Sequence, residues 1–307
     1  MPFGVGGNAR IRTNISAQNA YNSLEISNKE ISNRQLRLST GKRINNAADD
    51  VAGYITSRAL SARNGALKAA LKAVGDAQNT SYIIMDSLEN IADLVRDIKN
   101  STALATSGAT GTAEKVALAK AASRMVNQIQ TVVDTTVFGG RQLIDGTYQA
   151  DFVVGTDAVH TLITLEVDLQ TDNVDYNVEG NDFNMNSLNV DKFGGVEGLD
   201  MRAFDQVSGD DLGIFDFDVI GETLTSLATA IDNVNKVASY VGGVVNRLNS
   251  QELIINGQIV NYNSAISRIE DADVAQEQLN LVKAQFLQQS SLTSLAQANQ
   301  NPQSFLQ

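Results

Sequence analysis

The chain of 307 residues has no cysteine, no tryptophan, one histidine and two prolines, Pro2 and Pro302. Without cysteine there is no disulfide framework and no thiolate metal site. With proline confined to the two ends, the whole interior lacks the strongest helix breaker. A single histidine, His160, excludes a His-rich metal site or a Ser-His arrangement in the helical parts. His160 itself lies in an acidic stretch and reads as a surface residue. No run of 18 apolar residues occurs, so no membrane insertion is expected. The opening MPFGVGGNARIRTN lacks a continuous apolar core and is not expected to act as a cleavable secretory signal.

Basic charge is scarce overall and is unevenly placed. Net charge is −12, which argues against nucleic acid as a partner. Residues 145 to 218 hold 17 Asp/Glu against only Lys192 and Arg202, leaving 21 basic and 18 acidic residues elsewhere. The middle reads as a solvated surface and the ends as something else.

Apolar periodicity is what the chain has in abundance. Ile220, Leu224, Leu227, Ile231, Val234, Ala238, Val241, Val245, Leu248, Glu252, Ile255, Ile259, Tyr262, Ile266 and Ile269 step in alternating fours and threes, with Glu252 alone breaking the apolar row. Such a heptad seam predicts one helix roughly 75 Å long. A second seam runs from Leu67 through Val74, Ile84, Leu88, Ile91 and Val95 to Ile98, and a third from Ala119 to Val133. STALATSGATGT (101 to 112) separates these two. Three long helices sharing apolar seams should bundle. Between them the period changes to two. Ile163, Leu165, Val167 and Leu169 alternate with polar residues as a half-buried strand.

The two ends carry weaker seams. Ala17, Leu24, Ile31 and Leu38 repeat at seven, interrupted by Ser27 and Arg34. Leu281, Ala284, Gln288, Leu292, Leu295 and Ala298 share a face diluted by Gln and Ser. Neither end buries enough alone to offset an ordering cost of about 1–2 kcal/mol per residue, so both are expected to order only against partners.

LSTGKRINNAADDVAG (38 to 53) offers three readings. A phosphate loop needs Gly five residues before its Gly-Lys pair and Ser/Thr after it; here those positions are Leu36 and Arg43. Asp49 and Asp50, if helical, point about 100° apart and do not converge on one substrate atom. The third reading is a joint. Gly41 stands where a helix C-cap belongs, and Asn46 is placed as the next N-cap with Asp49 returning a hydrogen bond. The clusters Asp172/Asp175 and Asp210/Asp211 lack calcium-loop spacing and read as solvated surface. No cofactor site emerges.

These residues also carry a family resemblance. LSTGKRINNAADDVAGYITSRALSA (38 to 62) resembles the N-terminal signature of bacterial flagellins, and FGGRQLIDG (138 to 146) the segment closing their N-terminal helical half. VVGTDAVHTL (153 to 162) resembles the turn that follows. Residues 267 to 307 are similar to the flagellin C-terminus almost throughout. The resemblance implies a non-enzymatic subunit that self-assembles into the flagellar filament for motility. It implies a homopolymer, with an export chaperone, the type III export apparatus, the filament cap and hook-associated proteins as further partners, and an extracellular location. A hook–filament junction protein shares the terminal helices and is the alternative. A surface binding or enzymatic module in the acidic middle, which a metal or glycan titration of residues 145 to 218 would detect, is a third possibility.

The expected fold is mainly α: a long-helix coiled-coil bundle with discontinuous terminal helices and a small acidic β-containing central insertion. Three regions are expected: terminal helices (1–45 with 268–307), a helical bundle (46–150 with 217–267) and a β-rich exposed segment (151–216). The expected assembly interface comprises Leu24, Ile31, Leu38, Lys42, Arg43, Asp49, Asp50, Leu281, Leu292 and Leu295. ADLVRDI (92 to 98) resembles the family's immune-receptor segment in Arg96, Asp97 and Ile98, but has Leu94 where an arginine is expected.

Overall fold

The computed structural model describes residues 14–156, 162–170, 173, 175 and 201–304. His160, Asp172 and the extension before IRTNIS lie outside them. Among the described residues the α-helices are α1 (Ile15–Thr40), α2 (Val51–Ala105), α3 (Thr112–Thr135), α4 (Ile220–Glu270) and α5 (Val274–Ser304). Among the described residues the strands that follow α3 are β1 (Val137–Phe138), β2 (Arg141–Gln142), β3 (Thr147–Thr156) and β4 (Leu162–Gln170). The chain divides into two compact units, one formed by residues up to Gly65 with those from Val260 on, the other by Ala66–Ile259.

The core of the second unit is built from the predicted seams. From Leu67 to Ile98 every α2 seam position is buried, including the small Ala70, Ala77 and Ser81. The same holds for Ala119, Ala122, Val126, Ile129 and Val133 of α3. Glu252, the polar break in the α4 seam, accepts a 2.9 Å hydrogen bond from Gln78 of α2. Gln78 also donates to Asn249 at 2.9 Å. The polar gap in the seam is thus a cross-helix amide–carboxylate contact. It satisfies groups whose burial without partners would be costly.

Turn chemistry explains the β excursion. Gly139 and Gly140 both have positive φ, 59° and 81°, as the two-residue turn joining β1 to β2 requires. β3 and β4 pair antiparallel from Thr147↔Gln170 to Thr156↔Leu162, with an irregularity between Val153 and Gly155. Leu165, Val167 and Leu169 are buried as expected, but Ile163 is 48% exposed. The extra residue inserted opposite Ile163 breaks the strict alternation there. A short 3₁₀ turn, Met201–Asp205, packs on α3. Its Phe204 meets Phe215 edge to face, with ring centroids 5.7 Å apart, a favoured aromatic geometry.

Ile129 is fully buried in the C-terminal half of α3. Ile129→Ala is expected to lower the stability of this unit by about 2–5 kcal/mol, read from a denaturant titration of the full chain. A shift below about 1 kcal/mol would show that α3 is not part of the cooperative core.

Candidate functional site

The segment between α1 and α2 is a joint stitched to the segment between α4 and α5. α1 ends at Gly41, whose φ of 70° is left-handed, the conformation that glycine adopts at a helix C-cap without a Cβ penalty. Lys42 then forms an isolated antiparallel bridge with Asp271. Ala272 N–H donates to Gly41 O at 2.9 Å, and Arg43 N–H donates to Glu270 O at 2.6 Å. The side chains reinforce this bridge. Lys42 Nζ lies 2.7 Å from the buried Glu270 carboxylate, and Arg43 donates to Ile269 O at 2.8 Å.

The adjacent carboxylates have separate tasks. α2 begins at Val51, so Asn46 is not its N-cap, contrary to the expectation above. Asp50 is the cap: its Oδ1 accepts from Gly53 N–H at 2.9 Å. Asn46 and Asp49 instead form a turn outside the helix, with Asp49 N–H donating to Asn46 O at 3.0 Å. Asp49 Oδ2 in turn accepts from the backbone N–H of Asn46 at 2.9 Å and of Asn45 at 3.0 Å. These two donors, Asn46 first, hold the Asp49 carboxyl below the ordinary aspartate value of 3.8, with Arg37 adding to the effect.

α1 and α5 pair antiparallel. Asn14 Nδ2 donates to Ala298 O at 2.7 Å, and Gln288 Nε2 donates to Asn28 Oδ1 at 2.6 Å. The buried Glu277 carboxylate binds Arg34 at 2.9 Å and Arg37 at 3.3 Å. Arg37 also lies 3.9 Å from Asp49. The hydrogen bond to Glu277 is the main reason that the Arg34 guanidinium holds its proton more tightly than usual.

The structure brings most of the expected interface residues together. Leu24, Ile31, Leu38 and Leu295 are half-buried, and Leu281 is buried. Leu292 is the exception at 49% exposure; the seam position belongs to the half-buried Ser291. One residue's step of about 100° carries Leu292 off the seam, and α5 also has a second apolar face. Leu279, Val282 and Phe286 step by three and four and are all exposed, Phe286 at 71%. At 100° per residue this stripe falls opposite the seam of Leu281, Ala284, Gln288, Ser291, Leu295 and Ala298. Apolar residues on opposite faces leave α5 with almost no net amphipathicity, so periodicity alone does not orient it. Sequence reasoning also missed Glu277 and Glu270, and took Arg34 as an interruption. The available signal was a lone acid four residues before Leu281 and two arginines near the end of α1. In ADLVRDI, Arg96 and Asp97 are exposed, Leu94 is half-buried and Ile98 is fully buried; Arg96 pairs with Asp93.

The profile of the bacterial flagellin N-terminal helical region matches residues 11–149, and that of the bacterial flagellin C-terminal helical region matches residues 224–307. The chain belongs to the bacterial flagellins. It is 29% identical over 311 residues to the flagellin of Bacillus subtilis (strain 168), covering 97% of this chain and 99% of that one. It is 27% identical over 373 residues to polar flagellin B/D of Vibrio parahaemolyticus serotype O3:K6, covering 96% and 98%. Among solved structures, a putative flagellar hook-associated protein from Vibrio parahaemolyticus superposes with a TM-score of 0.56 at 12% identity, over 73% of this chain and all of that one. That is a likeness of fold.

Two measurements check the joint. A Cβ on Gly53 would meet Asp50 Oδ2 at 2.6 Å and Ile44 Cδ1 at 2.7 Å, whereas one on Gly65 would meet nothing within 4 Å. Gly53→Ala is therefore expected to destabilise by about 1 kcal/mol or more through loss of the cap, and Gly65→Ala to stabilise by about 0.5–1 kcal/mol. Thermal unfolding of the full chain decides between the two signs. The second measurement concerns pH. An aspartate whose folded value is lowered binds its proton more tightly when unfolded, so Asp49 contributes stability above about pH 4 and loses it as pH falls through its lowered value. Asp49→Asn should flatten that part of the acid-unfolding curve. An unchanged acid limb would show that Asp49 does not stabilise the joint.

Proposed function

We propose that this chain is a structural subunit that self-assembles into the bacterial flagellar filament for swimming motility, with no catalytic role. Family membership supports the reading, and the observation that carries it is the two-sided α5. One face is covered by α1. The other, Leu279, Val282 and Phe286, is covered by nothing in the described chain. Exposed apolar stripes of this kind mark interaction surfaces, and Ile15, Tyr21, Ile26 and Leu36 add further exposed apolar area on α1. Burying such area against neighbouring copies, at about 25 cal/mol per Å², offsets the ordering cost of the ends. In this reading the α1/α5 pair is completed when a growing tip supplies neighbours that cover its outer faces.

The reading divides the chain into three regions. The terminal helices (1–45 with 268–307) form an inner tube, the helical bundle (46–150 with 217–267) an outer tube, and the acidic segment (151–216) the solvent face. The joint residues Lys42, Arg43, Asp49 and Asp50 set the relation between the tubes. Location is extracellular, reached without a cleaved signal peptide through a type III export apparatus. An export chaperone, the filament cap and hook-associated proteins are its further partners. Among the described residues no helix is long and apolar enough to cross a membrane.

Two changes test this. Deleting residues 268–307 should leave a soluble chain whose remaining helices unfold cooperatively and which forms no filaments by electron microscopy. Filaments from that truncation would overturn the mechanism. Replacing Leu279 and Phe286 with Asp should raise the protein concentration needed for polymerisation at least tenfold, since burying two unpaired charges exceeds the 1.4 kcal/mol that a factor of ten requires. Short rods from the unmodified chain, in place of long filaments, would favour the hook–filament junction role.

A further inference from the structure

The α1/α5 seam has an apolar pattern that permits two registers, and its charges distinguish them. The contacts Arg34–Glu277, Asn28–Gln288 and Asn14–Ala298 define one antiparallel register. By that register Ile31 stands level with Leu281 and Ala284, Leu24 with Gln288 and Ser291, and Leu295 with Ala17 and Ala20. The large residues of α1, namely Leu24, Ile31 and Leu38, recur at intervals of seven, and Leu281 and Leu295 of α5 lie two such intervals apart. Sliding the pair by one heptad would instead set Leu38 against Leu281 and Leu24 against Leu295. Two layers would then match leucine to leucine, where the observed register matches Ile31 to Leu281 and leaves Leu295 beside alanines. A slide in the opposite sense sets Leu24 against Leu281 but carries Leu295 past the start of α1, so it keeps only one large apolar layer.

What the favourable slide loses is the clasp of Arg34 and Arg37 on Glu277. It carries Glu277 past the end of α1, level with residues 41 to 44, where Lys42 and Arg43 are already engaged by Glu270 and Ile269 O. Glu277 and Lys283 are the only charged side chains on α5, and Glu277 is the buried one. The two backbone bonds of the joint hold the same register at one end. Within the helices, Glu277 is the charged group that does so, beside the neutral contacts Asn28–Gln288 and Asn14–Ala298. A buried polar group that fixes register at some cost in stability is a known device in coiled coils.

We infer that Glu277, clasped by Arg34 and Arg37, is the specificity-determining residue of the terminal helix pair, selecting the observed register against a one-heptad slip that apolar packing favours. It rests on the filament reading only for the setting in which the pair forms. Removing the carboxylate does not orphan the arginines, because Arg34 keeps Glu30 at 3.0 Å and Arg37 keeps Asp49 at 3.9 Å.

The chain has no cysteine of its own, so introduced pairs report register directly. N28C/Q288C reports the observed register, Q35C/Q288C the favoured slip and Y21C/Q288C the opposite one. Each pair is placed in the full chain with Glu277 intact, with E277L and with E277Q. Each is then oxidised both free in solution and as a minor component co-assembled with unmodified chain. Intramolecular and intermolecular disulfides are separated by mass on non-reducing gels. With Glu277 intact, only N28C/Q288C should close. In E277L and E277Q, closure of Q35C/Q288C should rise roughly tenfold, the scale of bias from losing a partly buried ion pair, with Y21C/Q288C at background. N28C/Q288C closing alone in both variants would overturn the inference, as would Q35C/Q288C closing when Glu277 is intact. Sedimentation of the unmodified chain reads polymerisation separately, so a failure of the filament reading is not confused with a failure of this one.

Discussion

Closure of the chain's two ends on each other is the constraint on which the terminal unit depends. Lys42 and Asp271 are far apart in sequence, and bringing such distant residues together carries a loop-closure cost that grows only slowly with length. The cost is met at one small place, where two backbone hydrogen bonds and the Lys42–Glu270 ion pair converge. Neither α1 nor α5 has the apolar seam to hold itself: their shared face includes Ser27, Arg34, Gln288 and Ser291. The joint and the Glu277 cluster give these weak helices a fixed place to meet.

Polar groups set positions throughout this molecule, while apolar groups supply most of the burial. Glu252 and Gln78 mark a level along α2 and α4. Ser87 and Thr136 share a buried 2.9 Å hydrogen bond where α2 meets the end of α3. Asp50 fixes where α2 starts. Leucine and isoleucine repeating every seven residues would tolerate several alignments, and each of these polar contacts is satisfied in only one.

How legible the fold was in the sequence follows from how local each signal is. The α2 and α3 seams were legible position by position, because burial on one face of a long helix leaves a strict 3.5-residue period. Gly41 was legible because only a helix end calls for glycine there. Three features were not. Ile163 depended on a bulge in the partner strand, which alternation within β4 does not reveal. The cap of α2 depended on a tight turn at 46–49 that delayed the helix by four residues. Leu292 misled because hydrophobicity picks the larger of two neighbours, and here the smaller one, Ser291, holds the seam position while Leu292 lies just off it. The Glu277 cluster went unread because a charged residue in a weak seam looks like a flaw until its partners across the pair are known.

The two tasks of Asp49 and Asp50 also bear on how this joint can vary. Between the left-handed Gly41 and the cap at Asp50, the chain spends its residues on one bridge, one buried anchor at Ile44 and one closed turn. A helix that starts one residue early or late is rotated by about 100° about its own axis. An insertion or deletion in this stretch would therefore turn the inward-facing Ser57 and Asn64 of α2 toward water and bring their exposed neighbours inward. Substitution at the joint alters how firmly the helices are held. A change of length alters the azimuth at which α2 begins, so residue count here is a geometric quantity in its own right.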